Sequence, residues 1–136
     1  MTFSPAAADT LLALFSDTHT TPEDYDLIAS GDLGQVGHDL LMQLMREQRT
    51  PLPDERYTDC GLMIFDRDKQ DVHAGGSGCG CSASVLGAHL LPRLARGEIK
   101  RMIFMATGAL MSLTSSQQGE SIPGIAHAVV LEAPKA

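Results

Sequence analysis

Long apolar runs are missing from this chain, and so is any excess of positive charge. No stretch of its 136 residues approaches the roughly 20 consecutive apolar positions of a membrane-spanning helix. Met1 to Thr10 has neither the charged leading region nor the apolar block that directs secretion, so the mature chain is expected to be cytosolic. Ten basic against seventeen acidic side chains leave a net charge of −7. That balance argues against nucleic acid or an anionic lipid surface as partner, since both are met by basic surfaces. Any anion bound here is held by local donors.

Cysteine is scarce and odd in number: Cys60, Cys79 and Cys81. The single residue between the last two is poor geometry for a bridge, so reduced thiols are expected rather than a disulfide framework. Zinc ligation by Cys60, His73, Cys79 and Cys81 would lack the usual paired knuckles with about two to four intervening residues. Buried, apolar-like cysteine is the default, and no metal or cofactor is expected.

What the chain does have is 43% hydrophobic residues, enough for one core and one domain. It also has a glycine stretch, His73-Ala-Gly-Gly-Ser-Gly-Cys-Gly-Cys-Ser-Ala-Ser84, running into a helix. Gly75, Gly76, Gly78 and Gly80 cost conformational entropy, so the backbone there needs positive φ angles or a contact too close for a Cβ. Two readings stand: a helix start that cradles a carboxylate or phosphate, or a loop packed closely on another backbone.

Ser4-Pro5 reads as a cap followed by proline, with Ala8, Leu11, Leu12 and Phe15 at helical spacing to about Ser16. A second cap signal at Thr21-Pro22-Glu23-Asp24 leads to a short strand at Leu27-Ile28-Ala29 that ends at Ser30-Gly31-Asp32. Val36, Leu40, Leu41, Leu44 and Met45 mark a core stripe on a helix ending near Arg49, before Pro51 and Pro53. The block Leu62-Met63-Ile64-Phe65 fits either a strand or a buried loop. Val85, Leu86, Leu90 and Leu94 predict a helix stopped at Gly97, bent or shortened by Pro92. Met102 to Ala106 and Ile125 to Leu131 read as neighbouring strands covered on both faces. Between them, Thr107 to Gly124 is too long for a hairpin and rich in hydroxyls and amides, which marks a functional loop; Leu110, Met111, Leu113 and Ile122 are expected to be drawn inward. These elements make an α/β layered fold with three strands, too narrow a sheet for its apolar content.

Three stretches, Asp59 to Ser84, Ala106-Thr107-Gly108-Ala109-Leu110-Met111-Ser112 and Thr114 to Ala128, together resemble the stage V sporulation protein AD family over nearly the whole chain. The resemblance implies an α/β thiolase-like layered fold, a short mixed sheet flanked by helices, with residues 1–136 as a single C-terminal half domain that lacks its N-terminal half. It also implies a non-catalytic protein that binds dipicolinic acid, alone or as a calcium chelate, for uptake into the developing spore. Its partners would be membrane proteins of the same operon, and its place peripheral to the spore inner membrane; a half-fold could also pair with a second copy.

Dipicolinate carries two carboxylates on a flat ring, and neutral donors on a bare helix start and a polar loop suit it. Motif position and donor chemistry then select a binding wall of Ser30, Gly31, Asp32, Gly78, Cys79, Gly80, Cys81, Ser82, Gly108, Ser112, Ser115 and Gln117. Asp32 fits least comfortably, since its carboxylate repels a dianion unless it binds a bridging Ca²⁺ or faces elsewhere. The alternative is an acyltransferase of the thiolase or ketoacyl synthase type. Where those enzymes carry a His-Gln-Ala-Asn stretch, the corresponding residues resemble Ala29-Ser30-Gly31-Asp32, without the histidine. Their asparagine has no counterpart in Cys79-Gly80-Cys81-Ser82, and their glycine turn survives in part as Thr107-Gly108-Ala109. A nucleophilic Cys79 or Cys81, acidified by the helix start and helped by His73 or His127, belongs to that alternative. A scaffold that docks on a partner without any ligand is a third class.

Overall fold

Amphipathic helices alternating with short apolar strands produce a sheet with helices on both faces; the computed structural model describes residues 3–78, 80–109, 113–119 and 123–135. Helix α1 (Ser4–Thr18) carries Pro5 in its first turn and ends at the cap residue His19, whose left-handed φ of 54° lets its N–H reach back to the last turn. Ser4 does not cap it. Fully buried, its Oγ donates to the Gly37 carbonyl at 2.8 Å and ties α1 to the following helix, while Phe3 occupies the cap position.

Strand β1 (Leu27–Ser30), helix α2 (Gly34–Glu47) and strand β2 (Tyr57–Asp59) form the first parallel unit. The short helix α3 (Cys60–Met63) follows at once. A continuous helical run comes next: α4 (Cys81–Val85), a π-type turn (Leu86–Leu90) and α5 (Leu91–Ala95). Strand β3 (Arg101–Ala109), the short helix α6 (Leu113–Gln117) and strand β4 (Gly124–Glu132) complete the described elements. Pro92 has no N–H for the helical ladder, and the π-type turn just before it absorbs the defect without breaking the run. Gly97, at φ 77°, closes the run as expected.

The sheet order is β2-β1-β3-β4, with the first three strands parallel and β4 antiparallel. It therefore has four strands instead of the three expected. The missed strand, β2, has three residues, too few for any periodicity to register. Leu62-Met63-Ile64-Phe65 is not a strand: the Asp59 side chain caps α3 there, and Ile64 and Phe65 stay 37% and 39% exposed. β3 and β4 pair as expected, Phe104 opposite Val129.

One core layer joins α1 and α2 to the face of the sheet that carries Ile28, Ile103 and Met105. The other joins Val85, Leu90 and Leu94 of the helical run to Ala29 and Met102. β3 is central, with Met102, Ile103 and Met105 fully buried. β4 lies at the edge, so the expectation of cover on both faces is corrected. Ala126, Ala128 and Val130 turn toward α1, while Val129 on the opposite face is 52% exposed. Val36 also leaves the expected stripe: α2 buries Gly37, Leu41 and Met45 in one line, and Val36 falls outside it at 66% exposure. Beyond β3, Leu113 is 83% exposed, contrary to the inward packing expected of it. Leu110, Met111 and Ile122 lie outside the described residues.

Candidate crevice at the strand ends

β1 and β3 run parallel side by side, and their carboxyl ends face the same edge of the sheet. From β1 the chain leaves into α2 on one face; the helical run that feeds β3 lies on the other. Such a divergence marks the place outside the strand ends where α/β sheets usually hold a ligand crevice. Its walls are Ser30 to Asp32 after β1, the overhanging end of β3 beyond Met105, and the glycine stretch that enters α4.

Asp59, at the end of β2, organises the floor. Fully buried, its Oδ1 accepts from Ser30 Oγ and from Leu33 N at 2.9 Å, and its Oδ2 from Gly34 N at 3.0 Å and Gly61 N at 3.1 Å. One carboxylate thus satisfies free amides at the starts of both α2 and α3, where negative charge is favoured. Tyr57 Oη lies 2.8 Å from Ser30 Oγ, and its ring stacks on His38 at 4.6 Å. Burial drives the Tyr57 hydroxyl well above the usual phenol range.

The glycine stretch divides into two parts. Gly75 and Gly76 pack on the α3 turn: Gly76 N donates to Gly61 O at 2.6 Å, and a Cβ on Gly75 would sit 2.6 Å from that same oxygen. Here the close partner is the protein's own backbone. Gly78 and Gly80 are different, because a Cβ on either would meet nothing within 4 Å. Between the two parts, Ser77 Oγ donates to Asp32 Oδ2 at 3.0 Å.

The residues proposed from sequence are therefore partly assembled. Gly31 faces Ser82, whose Cβ would lie 3.3 Å from a Cβ on Gly31. Cys81 Sγ approaches Gly31 O at 4.0 Å, and Asp32 accepts from Gly78 N and from Thr107 Oγ1, each at 3.4 Å. Ser30 lies beneath the wall, its hydroxyl engaged by Asp59 and Tyr57. Gly80 is exposed at the cap of α4, Gly108 follows Thr107 in β3, and Gln117 is exposed at the end of α6. Cys79, Ser112 and the Ser115 side chain lie outside the described residues. Sequence reasoning missed Asp59 and Ser77. For Asp59 a local signal existed, an Asp directly before a helical turn with a glycine two places on.

Cys60 and Cys81 are both buried and free, as the default of buried, apolar-like cysteine expects. Burial pushes Cys60 up to about 12, helped by the neighbouring Asp59 charge, and raises Cys81 too, with Asp32 and Asp59 adding to the effect. The helix start does not acidify Cys81. His73 and His127 are exposed and make no hydrogen bond to Cys60 or Cys81 among the described residues. A separate apolar hollow of about 320 Å³ lies between α3 and the helical run, lined by Met63, Ile64, Ser84, Val85, Ala88 and His89. It lacks the converging polar groups found at the strand ends.

A family model described as stage V sporulation protein AD matches residues 1–132. Among curated proteins, the stage V sporulation protein AD of Bacillus subtilis (strain 168) is 47% identical over 129 residues, covering 95% of this chain and 38% of that protein. The chain thus spans well under half the length of this relative.

Proposed function

This chain belongs to the stage V sporulation protein AD family, and from that membership and the crevice we propose that it is a non-catalytic dipicolinate-binding module serving uptake of this compound into the developing spore. The observation that carries the reading is the bare wall at Gly78 and Gly80. Gly78 takes a φ of 128° that favours glycine, but Gly80, at an ordinary φ of −98°, packs against nothing in the fold, and both border the crevice where Ser77, Ser82 and Thr107 gather. A flat ring can approach such a backbone closely, and neutral hydroxyl and amide donors can meet its carboxylates. With no lysine or arginine among these residues, the expected affinity is modest.

The same reading takes the chain as one half of a thiolase-like pair, acting beside membrane proteins of the spore. Burial raises the Cys81 thiol, which counts against Cys81 as the nucleophile of the acyltransferase alternative. Calorimetric titration of the chain with dipicolinate should give saturable one-site heat. Picolinate, with a single carboxylate, should bind at least about tenfold more weakly, as expected for losing one charge-assisted contact. Failure to saturate with dipicolinate would end the proposal. Thioester turnover that is lost in Cys81→Ala would establish the alternative.

A further inference from the structure

Two carboxylates border the crevice, and the fold holds them very differently. Asp59 is fully buried and takes four donors, its three backbone amides at 2.9 to 3.1 Å. Asp32 is half-buried at the mouth. Three donors from two other segments converge on it: Ser77 Oγ at 3.0 Å and Gly78 N at 3.4 Å on Oδ2, and Thr107 Oγ1 at 3.4 Å on Oδ1. Two of these contacts are at the long limit for a hydrogen bond, so the carboxylate is lightly held. No ion pair to Asp32 occurs among the described residues. It sits as an uncompensated charge on a hydroxyl and amide set that would suit an external carboxylate equally well.

We propose that Asp32 limits the affinity of the crevice for free dicarboxylates: its carboxylate occupies the anion position, and an external carboxylate binds by displacing it from Ser77, Gly78 and Thr107. This rests on the dicarboxylate reading above and adds a direction to it. A dianion must both compete for the donors and approach a like charge, so the wild-type side chain weakens the binding of free dicarboxylates. Asp32→Asn removes the charge at nearly constant shape, and Asp32→Ser removes both charge and reach.

The test is calorimetric titration with dipicolinate in EDTA on the wild type and both variants, with circular dichroism to confirm folding. In parallel, the wild-type Gly78 amide is followed by ¹H–¹⁵N spectroscopy. The expected result is an affinity at least about tenfold higher in the variants, and a Gly78 resonance that moves with the same saturation as the heat. Equal or weaker affinity in the folded variants overturns the inference. So does a Gly78 amide that stays in place while the wild type saturates. Binding that is lost in the variants only when Ca²⁺ replaces EDTA also overturns it, because Asp32 would then be a cation ligand. Absence of heat from wild type and variants alike refutes dicarboxylate binding itself.

Discussion

Replacing Asp59 by asparagine should unfold the chain at markedly lower temperature, and the size of the effect follows from its four donors. Oδ1 serves Ser30 Oγ and Leu33 N, while Oδ2 serves Gly34 N and Gly61 N. An amide has only one acceptor oxygen, so its NH₂ must face one of those pairs. Facing Gly34 and Gly61 it would oppose two backbone N–H groups. Facing Ser30 and Leu33 it would oppose one, because the serine hydroxyl can turn and accept. The second orientation is cheaper. It loses the Leu33 bond and the negative charge that strengthened the rest, at about 1.5–3 kcal/mol for a hydrogen bond to a charged group and somewhat more for the remainder. Asp59→Asn should therefore cost about 2–4 kcal/mol, or roughly 10 °C in Tm for a domain of this size. Urea and thermal unfolding followed by circular dichroism measure it. Asp39→Asn is the control, because Asp39 is exposed and pairs only at the surface with His38 and Gln35, so its change should stay within about 0.5 kcal/mol. Equal Tm values for the two variants would refute the role assigned to Asp59.

Gly61→Ala should destabilise by about 2 kcal/mol or more, because its Cβ would fall 2.9 Å from Asp59 Oδ2 and nearer still to the Gly76 carbonyl, a backbone atom that cannot swing aside; a urea midpoint matching the wild type would contradict this. Brief iodoacetamide treatment at pH 7.5, read by peptide mass spectrometry, should leave Cys60 and Cys81 unmodified in the folded chain, since both thiols are raised. Stability should also fall on the alkaline side. The folded Cys60 keeps its proton to about 12 while an unfolded thiol ionises near about 8.5, so between those values the unfolded chain binds fewer protons and is favoured as pH rises. Cys60→Ser should flatten that slope by up to about 1.4 kcal/mol per pH unit, and parallel curves for the two proteins would count against the buried thiol.

Local pattern and chain-distant contact explain what could be read in advance. α1, β1, the β3–β4 pair and the stop at Gly97 each carry a periodicity or a terminating residue in their own few positions. β2 does not, because three residues cannot show a period and its strand state comes from pairing with β1. Ser4 looked like a cap because serine usually is one, but the Gly37 carbonyl, 33 positions away, claimed its hydroxyl. Gly31, Asp32, Gly78 and Ser82 were named as candidates through their motif, and the fold brings these four near one another. Asp59 was legible only in part: its cap on Gly61 is local, but the amides at positions 33 and 34 come near only through the parallel pairing. Of the two meanings the glycine stretch offered, close packing holds for its first part, where Gly75 meets the Gly61 backbone and Gly76 the Ile64 and Phe65 side chains, while at Gly78 and Gly80 an added Cβ would meet open space.

Gly80→Ala separates the fold from its proposed use most cleanly. The position has an ordinary φ of −98° and no atom within 4 Å of an added Cβ, so the substitution should leave Tm unchanged or slightly raised. If the bare wall receives the ligand ring, dipicolinate affinity in the same preparation should fall at least about tenfold. Unchanged affinity with unchanged stability would contradict the account.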